Sequence, residues 1–298
     1  LRFILLAARV WADDPNRKDG ESEVPVATQH QPLRVALGGF GAIGKAVAER
    51  LDRGIEGLVL AAVSARDTAR AATAMADFAR PVPVVGLSQL SEEAEIVVEC
   101  APAAVLRDIA EPALAGGRTL MVLSSGALLD NFDLVDLARR HRGRILVPTG
   151  ALLGLDAVAA AAEGEIARVH MVTRKPPGGL AGAPYLERHG IAVDGLSTAK
   201  RVFTGTAREA ARGFPANVNV AAALALAGIG PERTTIEIWA DPAVNRNIHK
   251  IEVEADAARF SMQIENVPSA ENPKTGRLTP LSVVAALKKL VGPLAIGT

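Results

Sequence analysis

Three groups of residues in this 298-residue chain have the types and spacing to do chemistry together. The first is the turn Gly39-Phe40-Gly41-Ala42-Ile43-Gly44. Gly39 permits a tight turn, Gly41 lets backbone approach a pyrophosphate without a side chain in between, and Gly44 lets a helix pack closely on a strand. Backbone N–H groups at the start of the following helix then face the phosphates. The chemistry is hydride exchange with a bound NAD or NADP; the alternative is a glycine-rich packing turn. The second group is His249, where the polar run Asp241 to Asn247 enters a strand. A neutral imidazole can accept or donate a proton near neutral pH, as hydride removal from an amine or alcohol carbon requires. Alternation puts His249 on the face of Ile251 and Val253, so a buried structural histidine is the other possibility. The third group is polar and cationic. Asn217 and Asn219 can orient a carboxamide or carboxylate, or cap the Ala-rich helix that follows. Lys175, in Arg174-Lys175-Pro176-Pro177, and Lys274 can hold an acidic substrate, or be surface charge.

The nucleotide choice turns on the end of the second strand, Val63-Ser64-Ala65-Arg66. An acidic residue there would receive the ribose hydroxyls of NAD. Ser64 can instead bond a hydroxyl or phosphate, and Arg66 can neutralise a 2′-phosphate, so both NAD and NADP are admitted. Asp67 stands too far along for that role and suits a helix cap. Ser125, in Ser124-Ser125-Gly126, and Ala151, in Thr149-Gly150-Ala151, follow strands and belong at the sheet edge where a nicotinamide sits. His30, His141, His170 and His189 have no metal-ligand spacing, and no metal is expected.

These residues need a frame. Strand signals at Leu33 to Leu37, Leu58 to Val63, Val82 to Val85, Ile96 to Glu99, Thr119 to Leu123 and Arg144 to Val147 alternate with helical segments. Ile43, Val47 and Leu51 mark one face of the first helix. Short apolar strands between helices predict an α/β fold with an N-terminal Rossmann-type parallel sheet. Beyond Pro148, Ile166 to Thr173, Thr234 to Trp239, Ile248 to Glu254 and Arg259 to Glu265 alternate polar with apolar residues, which predicts a second α+β domain with a largely antiparallel sheet. The expected divisions are a flexible extension at 1–31, a dinucleotide-binding domain at 32–150, a substrate and dimerisation domain at 151–276, and a C-terminal helix at 277–298 returning to the first domain.

Composition narrows the class. Thirty-three basic residues balance 33 acidic ones, so neither nucleic acid nor a membrane surface is an expected partner. The single cysteine, Cys100, allows no intrachain disulfide and no cysteine-based zinc cluster, and a cytoplasmic location is expected. The apolar run Leu1 to Trp11 is short and broken by Arg9, and reads better as an extension than as a signal peptide or anchor.

With these motifs in hand the chain resembles the L-aspartate dehydrogenase family. The resemblance rests on the glycine turn, Pro148-Thr149-Gly150-Ala151, Thr173-Arg174-Lys175-Pro176-Pro177, Phe214-Pro215-Ala216-Asn217-Val218-Asn219-Val220-Ala221 and Asn272-Pro273-Lys274-Thr275-Gly276-Arg277, and spans Leu33 to the final helix. It implies oxidation of L-aspartate by NAD or NADP to iminoaspartate, which water converts to oxaloacetate and ammonia. It implies a homodimer and a link, through iminoaspartate, to quinolinate synthesis and de novo NAD biosynthesis. On the same basis His249 matches the catalytic histidine, and Ala151 and Asn219 match cofactor contacts. Opine, homoserine or sugar dehydrogenation would preserve the cofactor residues with a different pocket, and a dinucleotide sensor would keep the cleft without turnover.

Overall fold

The first strand, β1 (Leu33–Gly38), is buried over its last four residues and runs straight into the glycine turn. Helix α1 (Ala42–Asp52) follows, burying Gly44, Val47, Ala48 and Leu51 on one face. Each large apolar side chain on that face contributes about 1.5–3 kcal/mol by leaving water. The series continues through β2 (Leu58–Ser64), α2 (Thr68–Ala74), β3 (Ile96–Glu99), α3 (Leu106–Ala115), β4 (Thr119–Val122), α4 (Ser125–Asp130), α5 (Asp133–His141) and β5 (Arg144–Leu146). These strands form one sheet in the order β2-β1-β3-β4-β5, parallel throughout. The order reverses beside β1, which opens the crevice where such sheets take their ligands.

The computed structural model describes residues 31–215, 219–269 and 276–297. Pro32–Thr298 forms one compact unit.

After α6 (Leu155–Ala161) the chain builds a second sheet from β6 (Ile166–Lys175), β7 (Lys200–Thr206), β8 (Thr234–Ala240), β9 (Asn247–Ala255) and β10 (Arg259–Asn266). Its order is β10-β9-β6-β8-β7, antiparallel except for the central parallel pair of β6 and β8. One face is apolar: Val169, Met171, Ile236, Ile238, Ile251 and Val253 pack there with Val158 of α6, Ala207 and Ala210 of α7 (Ala207–Gly213), and Leu224 of α8 (Asn219–Ala227). The other face carries Arg168, Glu237, Lys250 and Glu252. This is the two-sheet architecture expected from the change in periodicity. The last helix, α9 (Leu278–Val291), leaves that sheet and lays Val283, Val284 and Leu287 into the cluster that holds Val47 and Leu51 of α1.

Some details differ from the sequence expectation. Residues 82–85 make only a single bridge, Val84 to Val63, because prolines at 81 and 83 remove the donors a ladder needs. Strand β7 carries Lys200, Arg201, Thr204 and Thr206 and so lacks a clear apolar signal, but it pairs along the edge of β8.

Candidate active site

The glycine turn is shaped as its sequence demands. Gly39 has φ +110°, and a Cβ there would lie 2.7 Å from the Cys100 carbonyl oxygen. A Cβ at Gly44 would overlap the carbonyl of Gly39, so this glycine serves helix-to-turn packing rather than ligand contact. Gly41 has nothing within 4 Å of its would-be Cβ, and it opens α1 without a side-chain cap. The first-turn N–H groups therefore face open space that suits a pyrophosphate.

That space is a cleft of about 1370 Å³ lined by Gly39, Phe40, Gly41, Ala42 and Ile43, and by Ser64, Ala65, Arg66 and Asp67 at the end of β2. Asp67 accepts the Arg70 N–H at 2.9 Å and caps α2. Arg70 also lines the cleft, and had not stood out in the sequence. With Ser64 where an acid would select NAD, and two guanidinium groups nearby, the residues fit a dinucleotide with or without a 2′-phosphate.

A smaller cleft of about 160 Å³ lies between the two sheets and shares Ile43 with the larger one. Ser125, Ala151, Lys175, Asn219 and His249 all line it. His249 is 2 % exposed and sits directly opposite Thr173 on the paired strands, with Thr173 Oγ1 3.0 Å from His249 Nδ1. That bond fixes the ring and leaves Nε2 as the nitrogen free of Thr173. Lys175, two residues along the same face of β6, is 5 % exposed. Burial pushes its ammonium down to about 8. Burial, and then the charge of Lys175, push the His249 imidazole down to about 3. In the free protein the imidazole is therefore neutral, with a bias against protonation. A substrate bearing negative charge would offset both effects.

The walls are tied together across the sheets. Ser125 Oγ donates to the Asn219 carbonyl at 2.7 Å, and Gly126 N donates to Asn219 Oδ1 at 3.1 Å. Asn266 Nδ2 donates to the Ala151 carbonyl at 2.9 Å.

The structure thus gathers Ser125, Ala151, Lys175, Asn219 and His249 at one cleft, and Gly39 to Ile43, Ser64 and Arg66 at the other. Asn217 and Lys274 lie outside the described residues. Arg174 points to the opposite face of β6, pairing with Asp241 at 3.0 Å and covering Trp239, as strand alternation requires. His170 lies on that face too, bonded to Thr235. Among the described residues no group of side chains could hold a metal ion, and no helix is long and apolar enough to cross a membrane. Sequence reasoning assigned no role to Thr173, although the odd-numbered face it shares with Lys175 was a usable signal. It also passed over Glu99 and Asn266, which bond groups distant in the chain.

Comparison with known proteins gives a consistent result. Residues 156–290 match the model of the aspartate dehydrogenase C-terminal region, and residues 39–148 match that of the homoserine dehydrogenase NAD-binding domain. An L-aspartate dehydrogenase of Bradyrhizobium diazoefficiens is 58% identical over 91% of this chain and 96% of its own length. L-aspartate dehydrogenase 3 of Bordetella bronchiseptica is 56% identical over 91% of this chain and its whole length. Aspartate dehydrogenase from Thermotoga maritima superposes with a TM-score of 0.66 at 24% identity, covering 89% of this chain and 99% of that one, and shows the shared fold.

Proposed function

We propose that this chain, which belongs to the L-aspartate dehydrogenase family, oxidises L-aspartate with NAD or NADP to iminoaspartate, which water converts to oxaloacetate and ammonia. The observation that carries this assignment is the meeting of a fixed neutral imidazole, His249, with a buried ammonium, Lys175, at the end of a dinucleotide cleft.

A bound NAD or NADP would supply the acceptor for the hydride leaving the aspartate α-carbon. Gly41 and the first turn of α1 would hold its pyrophosphate, while Ala151 and Asn219, which line the smaller cleft, would border its nicotinamide end. Lys175 binds a carboxylate of the substrate, and its burial limits the dilution of its charge by water. As the α-carbon loses hydride, the amine nitrogen lone pair forms the C=N bond and the nitrogen sheds a proton. His249 Nε2 takes that proton, Thr173 holding the ring at Nδ1. The dianionic substrate raises the imidazole from its resting value toward a useful range. His249 then returns protons as water adds to the imine carbon and ammonia leaves.

The test is purified protein with L-aspartate and each oxidised cofactor, beside D-aspartate, L-glutamate and L-malate. Reduced cofactor should accumulate with L-aspartate alone. No turnover on L-aspartate, or equal turnover on L-malate, would overturn the assignment.

Use of NADP rests on Arg66 and Arg70. Replacing both with alanine should weaken NADPH roughly 10- to 100-fold, since charge-assisted bonds to a phosphate are lost. NADH should change about twofold or less. Equal losses for the two nucleotides, measured by fluorescence titration, would count against a 2′-phosphate role.

A cytoplasmic homodimer supplying iminoaspartate to quinolinate synthesis completes the proposal, supported by family membership. Sedimentation of the pure protein, and quinolinate formation when it is coupled to a quinolinate synthase, test these points.

A further inference from the structure

Glu99 is the last residue of β3 and is fully buried, with no exposed surface. A carboxyl in that position costs desolvation, and burial does push its pKa up. A leucine would fill the same volume without that cost. What a leucine could not do is accept hydrogen bonds. Glu99 Oε1 accepts from Ala101 N at 3.1 Å and from Ser124 Oγ at 3.0 Å. Glu99 Oε2 accepts from Leu123 N at 3.1 Å and Ser124 N at 2.8 Å. One side chain therefore gathers the segment leaving β3 and the segment leaving β4, two neighbouring strands of the parallel sheet.

Those segments form the walls of both clefts. Cys100 and Ala101 line the larger one, and Leu123 and Ser125 line the smaller. Ser125 and Gly126 in turn receive Asn219 from α8. A continuous series of bonds thus runs from Glu99 through Ser124 and Ser125 to Asn219.

We propose that Glu99 is a positioning residue for the reaction: its carboxyl fixes the β4 exit so that the wall at Leu123, Ser125 and Asn219 holds the nicotinamide half of the cofactor against His249. The proposal rests on the cofactor assignment above. It gives Glu99 no contact with cofactor or substrate. It separates the two halves of the dinucleotide, because the adenosine half needs the end of β2, Ser64 and Arg66, whereas the four hydrogen bonds of Glu99 go to Ala101, Leu123 and Ser124.

The experiment compares binding of the whole dinucleotide with binding of 5′-AMP, by fluorescence and by competition. In Glu99→Leu the oxidised dinucleotide should bind on the order of 10- to 50-fold more weakly, the scale of several buried donors losing their acceptor. Affinity for 5′-AMP should stay within about twofold of wild type. Glu99→Gln keeps one acceptor oxygen and should recover part of the loss. A merely structural residue would move both ligands together and give no such split. If Glu99→Leu does not fold, Ser124→Ala decides, removing one of the four bonds: a loss of roughly two- to fivefold for the dinucleotide with none for 5′-AMP supports the role. Dinucleotide affinity unchanged in the folded variants, or equal losses for both ligands, overturns it. Wild-type protein that bound no dinucleotide would overturn the cofactor assignment itself; wild-type binding with indifferent Glu99 and Ser124 variants would overturn Glu99 alone.

Discussion

His249→Ala is expected to lower kcat on L-aspartate by roughly 10²- to 10⁴-fold, the usual contribution of a positioned acid or base. Cofactor affinity should hold within about twofold, because Gly39, Gly41, Ser64 and Arg66 line the larger cleft and His249 lines the smaller one. The loss should appear in kcat and kcat/KM alike, as expected when a group acts in the transition state. Thr173→Val should reproduce a smaller part of it by releasing Nδ1. Steady-state rates on L-aspartate for the folded variant, near those of wild type, would remove His249 from the chemistry.

The same imidazole affects stability in acid. Its folded pKa, about 3, lies below the ordinary value of 6.5. Between those values the unfolded chain binds a proton that the folded chain refuses, so stability falls as pH drops from 6.5 toward 3 and is fully present above 6.5. His249→Ala removes that acid liability while lowering turnover, so its activity loss is separable from any loss of fold.

The second large effect is expected at Lys175. Lys175→Met keeps the length of the side chain and removes its charge. KM for L-aspartate should rise roughly 10- to 150-fold, the range of a charge-assisted bond in a dry site, with a smaller change in kcat. Wild-type protein should also lose substrate affinity as pH rises through about 8, where the Lys175 ammonium gives up its proton. That limb should be missing from the Lys175→Met profile. A KM for L-aspartate unchanged in Lys175→Met, or an alkaline limb that persists, would show that another cation binds the carboxylate. In stability the sign runs the other way from function. From pH 8 to 10.5 the unfolded chain alone keeps the proton, so the fold gains stability over the range in which binding is lost.

The parallel sheet was legible because its signals are local. Leu33 to Gly44 carries strand, turn and helix within a dozen residues, and each glycine has a steric reason that needs no distant partner. The second sheet was legible in its alternation, and alternation also placed His249 on the apolar face. Its parallel central pair was not, since nothing in β6 or β8 distinguishes a parallel neighbour from an antiparallel one. Strand β7 was missed because an edge strand needs apolar residues on fewer positions. Site residues followed the same division. Ser64 and Arg66 are fixed by their distance from the end of β2. Arg70 comes to the same cleft through a helical turn that Asp67 starts. Glu99 and Asn266 bond groups 25 and 115 residues away, and no periodicity in the chain encodes such a pairing.

Helix α9 gives the chain an order of assembly. Val283, Val284 and Leu287 complete the apolar cluster around α1, although more than 200 residues separate them from Leu51. During synthesis the cofactor half emerges first and must wait, with the outer side of α1 uncovered, until Leu278–Val291 has left the ribosome. The substrate half is in effect an insertion between the body of the cofactor half and its closing piece. A chain cut short before residue 278 would keep every glycine of the turn and still leave the helix behind that turn without its apolar cover.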